Sequence, residues 1–250
     1  MSGQPTRAGP SPEVTEPMPA AREPGVWGQW AAFVRRPTLP DRAEIGLMGG
    51  LRRVAPLFGL DLSLMVLLLG VAAAAMALGF EMPEHMLGDL TLTPWLMLAI
   101  VAGAPLAEEI VFRGWLSGRP GHIAAVAAVV AGSVFAALAG VGAMSLAGAI
   151  AGFVLGPVLL FVFRKRPAMG WFQRGFRFFF WGSALLFAAV HLSNFAVAGP
   201  GLLPLVLPQF ALALILGYLR VTRGLWSAVL LHILHNSVFM ALVLAGSSAG

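Results

Sequence analysis

The sequence predicts an all-α membrane protein: a bundle of seven transmembrane helices with its N-terminus in the cytoplasm. Of its 250 residues, 58% are hydrophobic and 11% are charged, whereas soluble domains have about 25% charged residues. The apolar residues form runs as long as a membrane-spanning helix, which needs about 20 residues. The basic residues fall between these runs on one predicted side, which is typical of membrane proteins.

The chain divides into three parts by composition. Residues 1–25 are rich in Pro, Gly and Glu and have too little apolar content to form a core, so we expect a disordered tail. Residues 26–55 are amphipathic, with Trp27 and Trp30 at helical spacing, and are predicted to form interfacial helices on the membrane surface. Residues 56–246 are predicted to form the transmembrane domain.

The spans follow from the positions of the apolar runs. Residues 124–163 contain no charged side chain. This run is about twice the length of one span, so we expect two spans that turn at Gly140–Gly142. Pro204 and Pro208 are expected to bend the sixth span, because proline lacks the N–H that a helix interior uses. The predicted spans are 57–80, 93–116, the two within 124–163, 178–197, 202–219 and 224–245.

The orientation follows from the distribution of charge. With a cytoplasmic N-terminus, the outer segments 81–92 and 198–201 contain no Arg or Lys, and all 16 basic residues lie on the cytoplasmic side. Loop 164–177 is then the main cytoplasmic anchor. The sequence therefore predicts an integral protein of the bacterial inner (plasma) membrane. Its basic residues are explained by contact with the lipid bilayer, so no nucleic-acid partner is expected.

Ionisable residues inside the predicted spans indicate a functional site, because such groups are costly in a membrane unless paired or hydrated. No Asp or Glu follows Glu109 in the chain. We interpret His235 as a bystander, and Asn194 and Gln209 as hydrogen-bonding residues between helices. The candidate site residues are Glu108, Glu109 and Arg113 in the second span, His191 in the fifth, and His232 and Asn236 in the seventh.

Helical spacing separates the roles of these residues. Glu109 and Arg113 are four residues apart, share a helix face and are expected to form an ion pair. Glu108 is rotated by about 100° from Glu109, so it is free to face a cavity or to form a salt bridge with another helix. His232 and Asn236 also share a face.

This combination of residues is suited to amide hydrolysis inside a membrane. A carboxylate can take a proton from water while a neighbouring histidine orients that water. A histidine and an asparagine can donate hydrogen bonds to the developing oxyanion. The same residue types could instead hold a divalent metal such as zinc, with Glu108, His191 and His232 as ligands. Spacing alone leaves both alternatives open.

Three motifs resemble those of the CPBP group, the Abi or CAAX prenyl endopeptidase family. Residues 108–113 (EEIVFR) match its EExxxR motif, residues 187–191 (FAAVH) match FxxxH, and residues 232–236 (HILHN) match HxxxN. The motifs occur in the family's order within roughly residues 90–240. The resemblance implies an intramembrane endopeptidase that acts on a membrane protein or a lipidated peptide.

The resemblance also implies a role for each site residue. Glu108 and His191 would activate water, and His232 and Asn236 would stabilise the oxyanion. The remaining motif residues, Glu109 and Arg113, would support the site. The family has been described both as metalloproteases and as metal-independent glutamate proteases, so the resemblance does not decide whether a metal takes part.

A non-proteolytic membrane protein is the alternative function. Buried Glu and His residues also serve proton relays, so a transporter, a proton-coupled carrier or an immunity-type binding protein could use the same scaffold. Asn236 favours the peptidase, because a relay needs titratable groups and has no use for an amide donor. The chain has no HExxH or GxGD motif and no cysteine, which argues against these other protease classes.

Overall fold

A computed structural model describes residues 24–81, 83, 91–195 and 199–247, and the regular secondary structure in these ranges is helical. The predicted tail lies almost entirely outside the described residues. The helices are α1 (Val26–Arg35), α2 (Leu47–Ala77), α3 (Pro94–Leu98), α4 (Ala104–Arg113), α5 (Pro120–Leu138), α6 (Ala143–Val162), α7 (Gly170–Arg174), α8 (Phe176–Val190), α9 (Leu207–Arg223) and α10 (Leu225–Ser247).

Seven helical segments of the described chain are long and apolar enough to cross a membrane. The predicted all-helical class and number of spans are therefore confirmed. The individual bounds differ by several residues, most of all in the first span. The segments are Leu47–Ala77, Pro94–Ser117, Pro120–Leu138, Ala143–Val162, Phe176–Asn194, Gly201–Arg223 and Leu225–Gly246.

Helix α2 is longer than a membrane is thick. Its 31 residues extend for about 46 Å at 1.5 Å per residue, against a hydrocarbon core of about 30 Å. Residues 47–55, which the sequence analysis assigned to the surface helices, are the first turns of this continuous helix. Gly50 is buried there against the indole ring of Trp226, and a Cβ at this position would overlap that ring.

Helix α1 is attached to the bundle by its aromatic residues. The Phe33 ring packs edge-on against Phe180 and Tyr218, with centroid distances of 5.3 and 5.1 Å. The indole Nε1 of Trp27 donates a hydrogen bond to the carbonyl of Pro56 in α2 at 2.7 Å. These contacts join α1 to α2, α8 and α9.

Helix α9 is the most buried span and forms the centre of the bundle. It packs against α2, α8 and α10. One apolar cluster lies between α2, α9 and α10, and a second, rich in phenylalanine, lies between α8 and α9. Representative buried residues are Leu57, Leu216 and Leu231 in the first cluster and Phe176, Phe180 and Phe187 in the second.

Helices α5 and α6 form a closely packed hairpin. A Cβ on Gly132 of α5 would lie 2.6 Å from the carbonyl oxygen of Gly148, and one on Gly152 would lie 2.9 Å from that of Ala128. Gly148, Gly152 and Gly156, spaced four residues apart on α6, are therefore buried against α5 of the same chain. The hairpin joins the rest of the bundle mainly through the start of α5.

One end of the bundle carries most of the described basic residues. There α4, α6 and α9 end and α5, α8 and α10 begin. Arg119 Nε donates to the carbonyl of Arg166 at 3.0 Å, and Arg223 pairs with Glu44 at 2.6 Å. We call this the basic end and define it by Arg119, residues 164–166, Arg220 and Arg223.

Candidate active site

A widened helical turn leads into α4. Residues 99–103 form a π-helical turn, and the N–H of Ala104 donates to the carbonyl five residues back. In this pattern the carbonyl of Ile100 would be paired with the N–H of residue 105, but Pro105 has none. The Asn236 side chain supplies a donor instead, with Nδ2 at 2.9 Å from the Ile100 oxygen. Asn236 of α10 is therefore bound to the helix that carries the two glutamates.

Glu109, Arg113 and His232 form a buried chain of charged and polar groups. Arg113 Nη1 donates to Glu109 Oε1 at 2.7 Å, with both side chains at most 1% exposed. The expected ion pair is therefore present. His232 Nδ1 lies 3.0 Å from the same oxygen. Because an ionised carboxylate only accepts hydrogen bonds, Nδ1 is the protonated nitrogen, and Nε2 is the nitrogen that faces Glu108.

Glu108 is the accessible carboxylate of the pair. Its side chain is 30% exposed, whereas that of Glu109 is fully buried. Oε2 of Glu108 lies 3.6 Å from His232 Nε2, which is beyond hydrogen-bond distance. The salt bridges of the described residues pair Glu108 with this histidine and not with an arginine. Glu108 is therefore partly exposed and lies beside His232 of α10, so the structure shows a pairing with another helix, which was one of the two alternatives that its spacing left open.

His191 lies where α8 ends and a 3-10 turn begins. Its Nδ1 donates to the carbonyl of Phe187 at 2.8 Å, so Nε2 is the ring nitrogen that remains to bind another group. The Phe187 ring lies 4.5 Å from the His191 ring and 5.8 Å from the His232 ring, centroid to centroid. The Arg113 guanidinium stacks 3.9 Å above the same ring. Phe187 thus joins His191 to the residues of α4 and α10.

Arg220 is a supporting residue that the sequence analysis missed. Its Nε donates to the carbonyl of Arg113 at 2.8 Å, and Nη2 donates to that of Gly114 at 2.7 Å. These carbonyls belong to the last turn of α4, where a helix leaves oxygens without an internal partner. A basic residue near the end of a span was the available signal, but the sequence analysis assigned it only to the membrane surface.

Asp61 and His235 form a second polar pair that the sequence analysis did not anticipate. Asp61 Oδ2 of α2 lies 2.8 Å from His235 Nδ1 of α10, and Asp61 is 3% exposed. An aspartate within an apolar span needs a partner, so Asp61 itself was the signal. Its partner could not be identified from spacing, because the two residues lie on different helices.

The assignment of Glu108, His191 and His232 as metal ligands stays a prediction. His232 Nδ1 is bound to the Glu109 carboxylate and His191 Nδ1 to a backbone carbonyl, contacts that metal-binding histidines also make. Within the described ranges, no three His, Cys, Asp or Glu side chains are grouped to hold a metal ion. We therefore assign no chemical step to a metal.

A family model supports the resemblance that the motifs indicate. The model described as type II CAAX prenyl endopeptidase Rce1-like matches residues 90–238. This range is more than half of the chain and contains the six candidate site residues. No curated protein and no solved structure matches the chain. The extent of the family match shows that the chain belongs to the type II CAAX prenyl endopeptidase Rce1-like family of membrane proteases.

Proposed function

We propose that the protein is an intramembrane endopeptidase in which Glu108 is the general base. The exposure of Glu108 carries this proposal. It is the accessible carboxylate beside a buried, charge-paired glutamate and a histidine of fixed orientation. The family match supports a protease. It gives no support to the transporter, carrier or immunity-type alternative.

The proposed reaction uses a water molecule held between Glu108 and His191. Glu108 takes a proton from the water as the oxygen attacks the carbonyl carbon of the scissile peptide bond. His191 Nε2 accepts a hydrogen bond from the same water and orients it. When the C–N bond breaks, Glu108 passes the proton to the leaving amine. The products are a new carboxyl group and a new amino group.

His232 and Asn236 are proposed to stabilise the oxyanion. A preorganised donor of this kind can contribute about 3–4 kcal/mol in a dry site. Asn236 uses one N–H to bind Ile100, and the amide has a second N–H to donate. His232 donates from Nε2 when that nitrogen is protonated. Glu109 supports this step by holding the imidazole through Nδ1.

We propose that the basic end faces the cytoplasm, in agreement with the positive-inside rule. Glu108 lies about 8 Å before the end of α4 at 1.5 Å per residue, so the site would open toward the cytoplasmic leaflet of a plasma membrane. The substrate would then be a membrane protein or lipidated peptide that is presented from that side. The family description favours a C-terminal prenylated segment.

Reconstituted protein in vesicles tests the catalytic proposal. The probes are two peptides that end in cysteine and three further residues, one farnesylated and one unmodified, and mass spectrometry measures the released tripeptide. Glu108→Gln should lower cleavage by at least about 100-fold, since general-base catalysis contributes roughly 10²–10⁴-fold. Glu44→Gln is the matched control, because Glu44 is 77% exposed and pairs with Arg223 away from the site.

A comparison of wild type and Glu108→Gln in the native host also detects substrates that are not CAAX peptides. New N-termini of membrane and secreted proteins are compared between wild type, a deletion strain and a strain with Glu108→Gln at normal expression. The proposal expects the same cleavage products to disappear in both altered strains. If the deletion removes products that Glu108→Gln retains, Glu108 is not the base.

A further inference from the structure

We propose that a groove between α4 and the α5–α6 hairpin binds one acyl chain of an anionic phospholipid, with the phosphate at the basic end. The groove has a volume of about 760 Å³, within the range of about 300–1,000 Å³ that small-ligand sites have. Arg220 and Trp226 lie at its basic end, and Phe153 of α6 lies farther along it.

The lining of the groove favours an acyl chain over a peptide. Its polar side chains lie toward the ends, with Arg220 and His122 at the basic end and Ser133 farther along α5. Between them the walls are apolar, for example Ile110 and Val126. A peptide in this position would bring N–H and C=O groups that need partners, whereas an acyl chain brings none. The distance from His122 to Ser133 is about 16 Å at 1.5 Å per residue.

Arg220 supplies a fixed positive charge at the basic end of the groove. The residue is only 7% exposed, and its hydrogen bonds to the carbonyls of Arg113 and Gly114 hold the guanidinium in place. A buried cation that lines an apolar groove is complementary to the phosphate of a lipid whose chain occupies that groove.

The rim of the groove adds further positive charge. Arg119, directly before α5, donates to the carbonyls of Arg166 and Arg164 at 3.0 and 3.1 Å. These bonds hold the loop after α6, with its exposed Lys165, beside the groove. Glu44, which precedes α2, is paired with Arg223. Because an acyl chain gains little by moving from lipid to an apolar wall, these charges are what select the lipid.

The position of the groove argues against the lipid tail of a peptide substrate. Leu106 and Ile110 line the groove and share one face of α4. Glu108 does not line the groove and is rotated by about 160° from each of them, although Val111, which also lines it, is only about 60° from Glu108. The centre of the groove-lining face of α4 is therefore about 130° from Glu108. The inference thus does not depend on the proposed peptidase function.

Native mass spectrometry of the full-length protein tests the lipid site. The protein is exchanged into detergent and given phosphatidylglycerol or phosphatidylcholine with identical acyl chains. We expect wild type to retain one phosphatidylglycerol and at least tenfold less phosphatidylcholine. Ser133→Trp, which fills the groove at an exposed position, should lower retention at least tenfold. Val134→Trp is the matched control, because Val134 is 52% exposed and does not line the groove.

Further variants and ligands test three points. They test the role of the lipid headgroup, whether the bound molecule is a phospholipid or a lipidated peptide, and whether binding depends on catalysis. Lys165→Gln with Arg166→Gln should reduce the preference for phosphatidylglycerol while the unfolding temperature is unchanged. Glu108→Gln should retain the lipid, so failure of the peptidase proposal leaves this one intact. Equal retention by Ser133→Trp and Val134→Trp would overturn the site. Equal binding of both lipids, or displacement of phosphatidylglycerol by a farnesylated peptide, would overturn the assignment to an anionic phospholipid.

Discussion

Helix α10 presents two histidines to carboxylates on two different helices. His232 binds Glu109 of α4 at 3.0 Å, and His235 binds Asp61 of α2 at 2.8 Å. Both carboxylates are almost completely buried. The Glu109 pair continues to a buried arginine and to a second, accessible carboxylate. Among the described residues, Asp61 and His235 form a salt bridge only with each other.

This difference shows that a buried carboxylate–histidine pair does not by itself indicate catalysis. What distinguishes the first pair is its continuation to Glu108, whose side chain is 30% exposed. The second pair joins α2, which lies outside the family match, to the helix that carries the site. We therefore expect the first pair to control activity and the second to control helix packing.

The largest effect is expected from breaking the first pair. Glu109→Gln leaves Arg113 buried without a compensating charge, which should lower the free energy of unfolding by about 3–5 kcal/mol. It also removes the group that orients His232, so peptide cleavage should fall at least about 100-fold. Thermal unfolding in mixed micelles and tripeptide release measure the two effects.

A double replacement separates charge burial from catalysis in this pair. Glu109→Leu with Arg113→Leu removes both charges and should be more stable than Glu109→Leu alone. It should remain inactive, because His232 is still without its partner. Recovery of activity in the double variant would show that Glu109 serves only to balance Arg113.

A smaller effect is expected from the second pair. Asp61→Asn weakens the bond to His235 and should cost about 1–3 kcal/mol of unfolding free energy. Cleavage by the folded protein should stay close to that of wild type, because Asp61 is not joined to Glu108. A loss of activity as large as that of Glu109→Gln, with no greater loss of stability, would remove the distinction between the two pairs.

A still smaller effect on stability is expected from the hydrogen bond between Asn236 and Ile100 in the π-helical turn before α4. Pro105→Ala restores an N–H that can bind the carbonyl of Ile100, so Asn236 is no longer the donor on which that carbonyl depends. Asn236→Ala should therefore destabilise the Pro105→Ala protein less than wild type, by about 1 kcal/mol. A double-mutant cycle of unfolding free energies measures this coupling, and a value of zero would contradict the account of the π-helical turn.

The smallest effect is expected from metal removal. Dialysis against a chelator should leave peptide cleavage unchanged, because the proposed reaction uses Glu108 as the base and no three His, Cys, Asp or Glu side chains of the described residues are grouped to hold a metal ion. Zinc added back should not raise the rate. An inactive dialysed protein that regains activity with zinc would show that the site rearranges to hold a metal, with Glu108, His191 and His232 as the first ligands to test.

The sequence predicted the fold where local length and spacing decide the structure. Apolar runs indicated the seven spans, and the four-residue spacing indicated the ion pair of Glu109 and Arg113. The start of the first span was predicted ten residues late, because residues 26–55, which include Arg52 and Arg53, were assigned to amphipathic helices on the membrane surface. In the structure α2 is simply long enough to carry these charges beyond the apolar core.

The sequence did not predict contacts that depend on the packing of separate helices. Asp61 and His235 lie far apart in the chain, and no periodicity links them. The groove likewise exists because the α5–α6 hairpin packs mainly on itself. Pro105 was the available sign of an irregular turn. The donor that completes this turn, Asn236, lies on another helix and was assigned only to catalysis.

The close packing of α5 against α6 also has a consequence for biogenesis. Gly132 and Gly152 allow the two backbones to touch, and a short turn at residues 139–142 joins the helices. A pair of apolar helices joined in this way can enter the bilayer together as a unit during synthesis. Because the hairpin precedes α8, α9 and α10 in the chain, it can be in place beside α4 before His191 and His232 are synthesised.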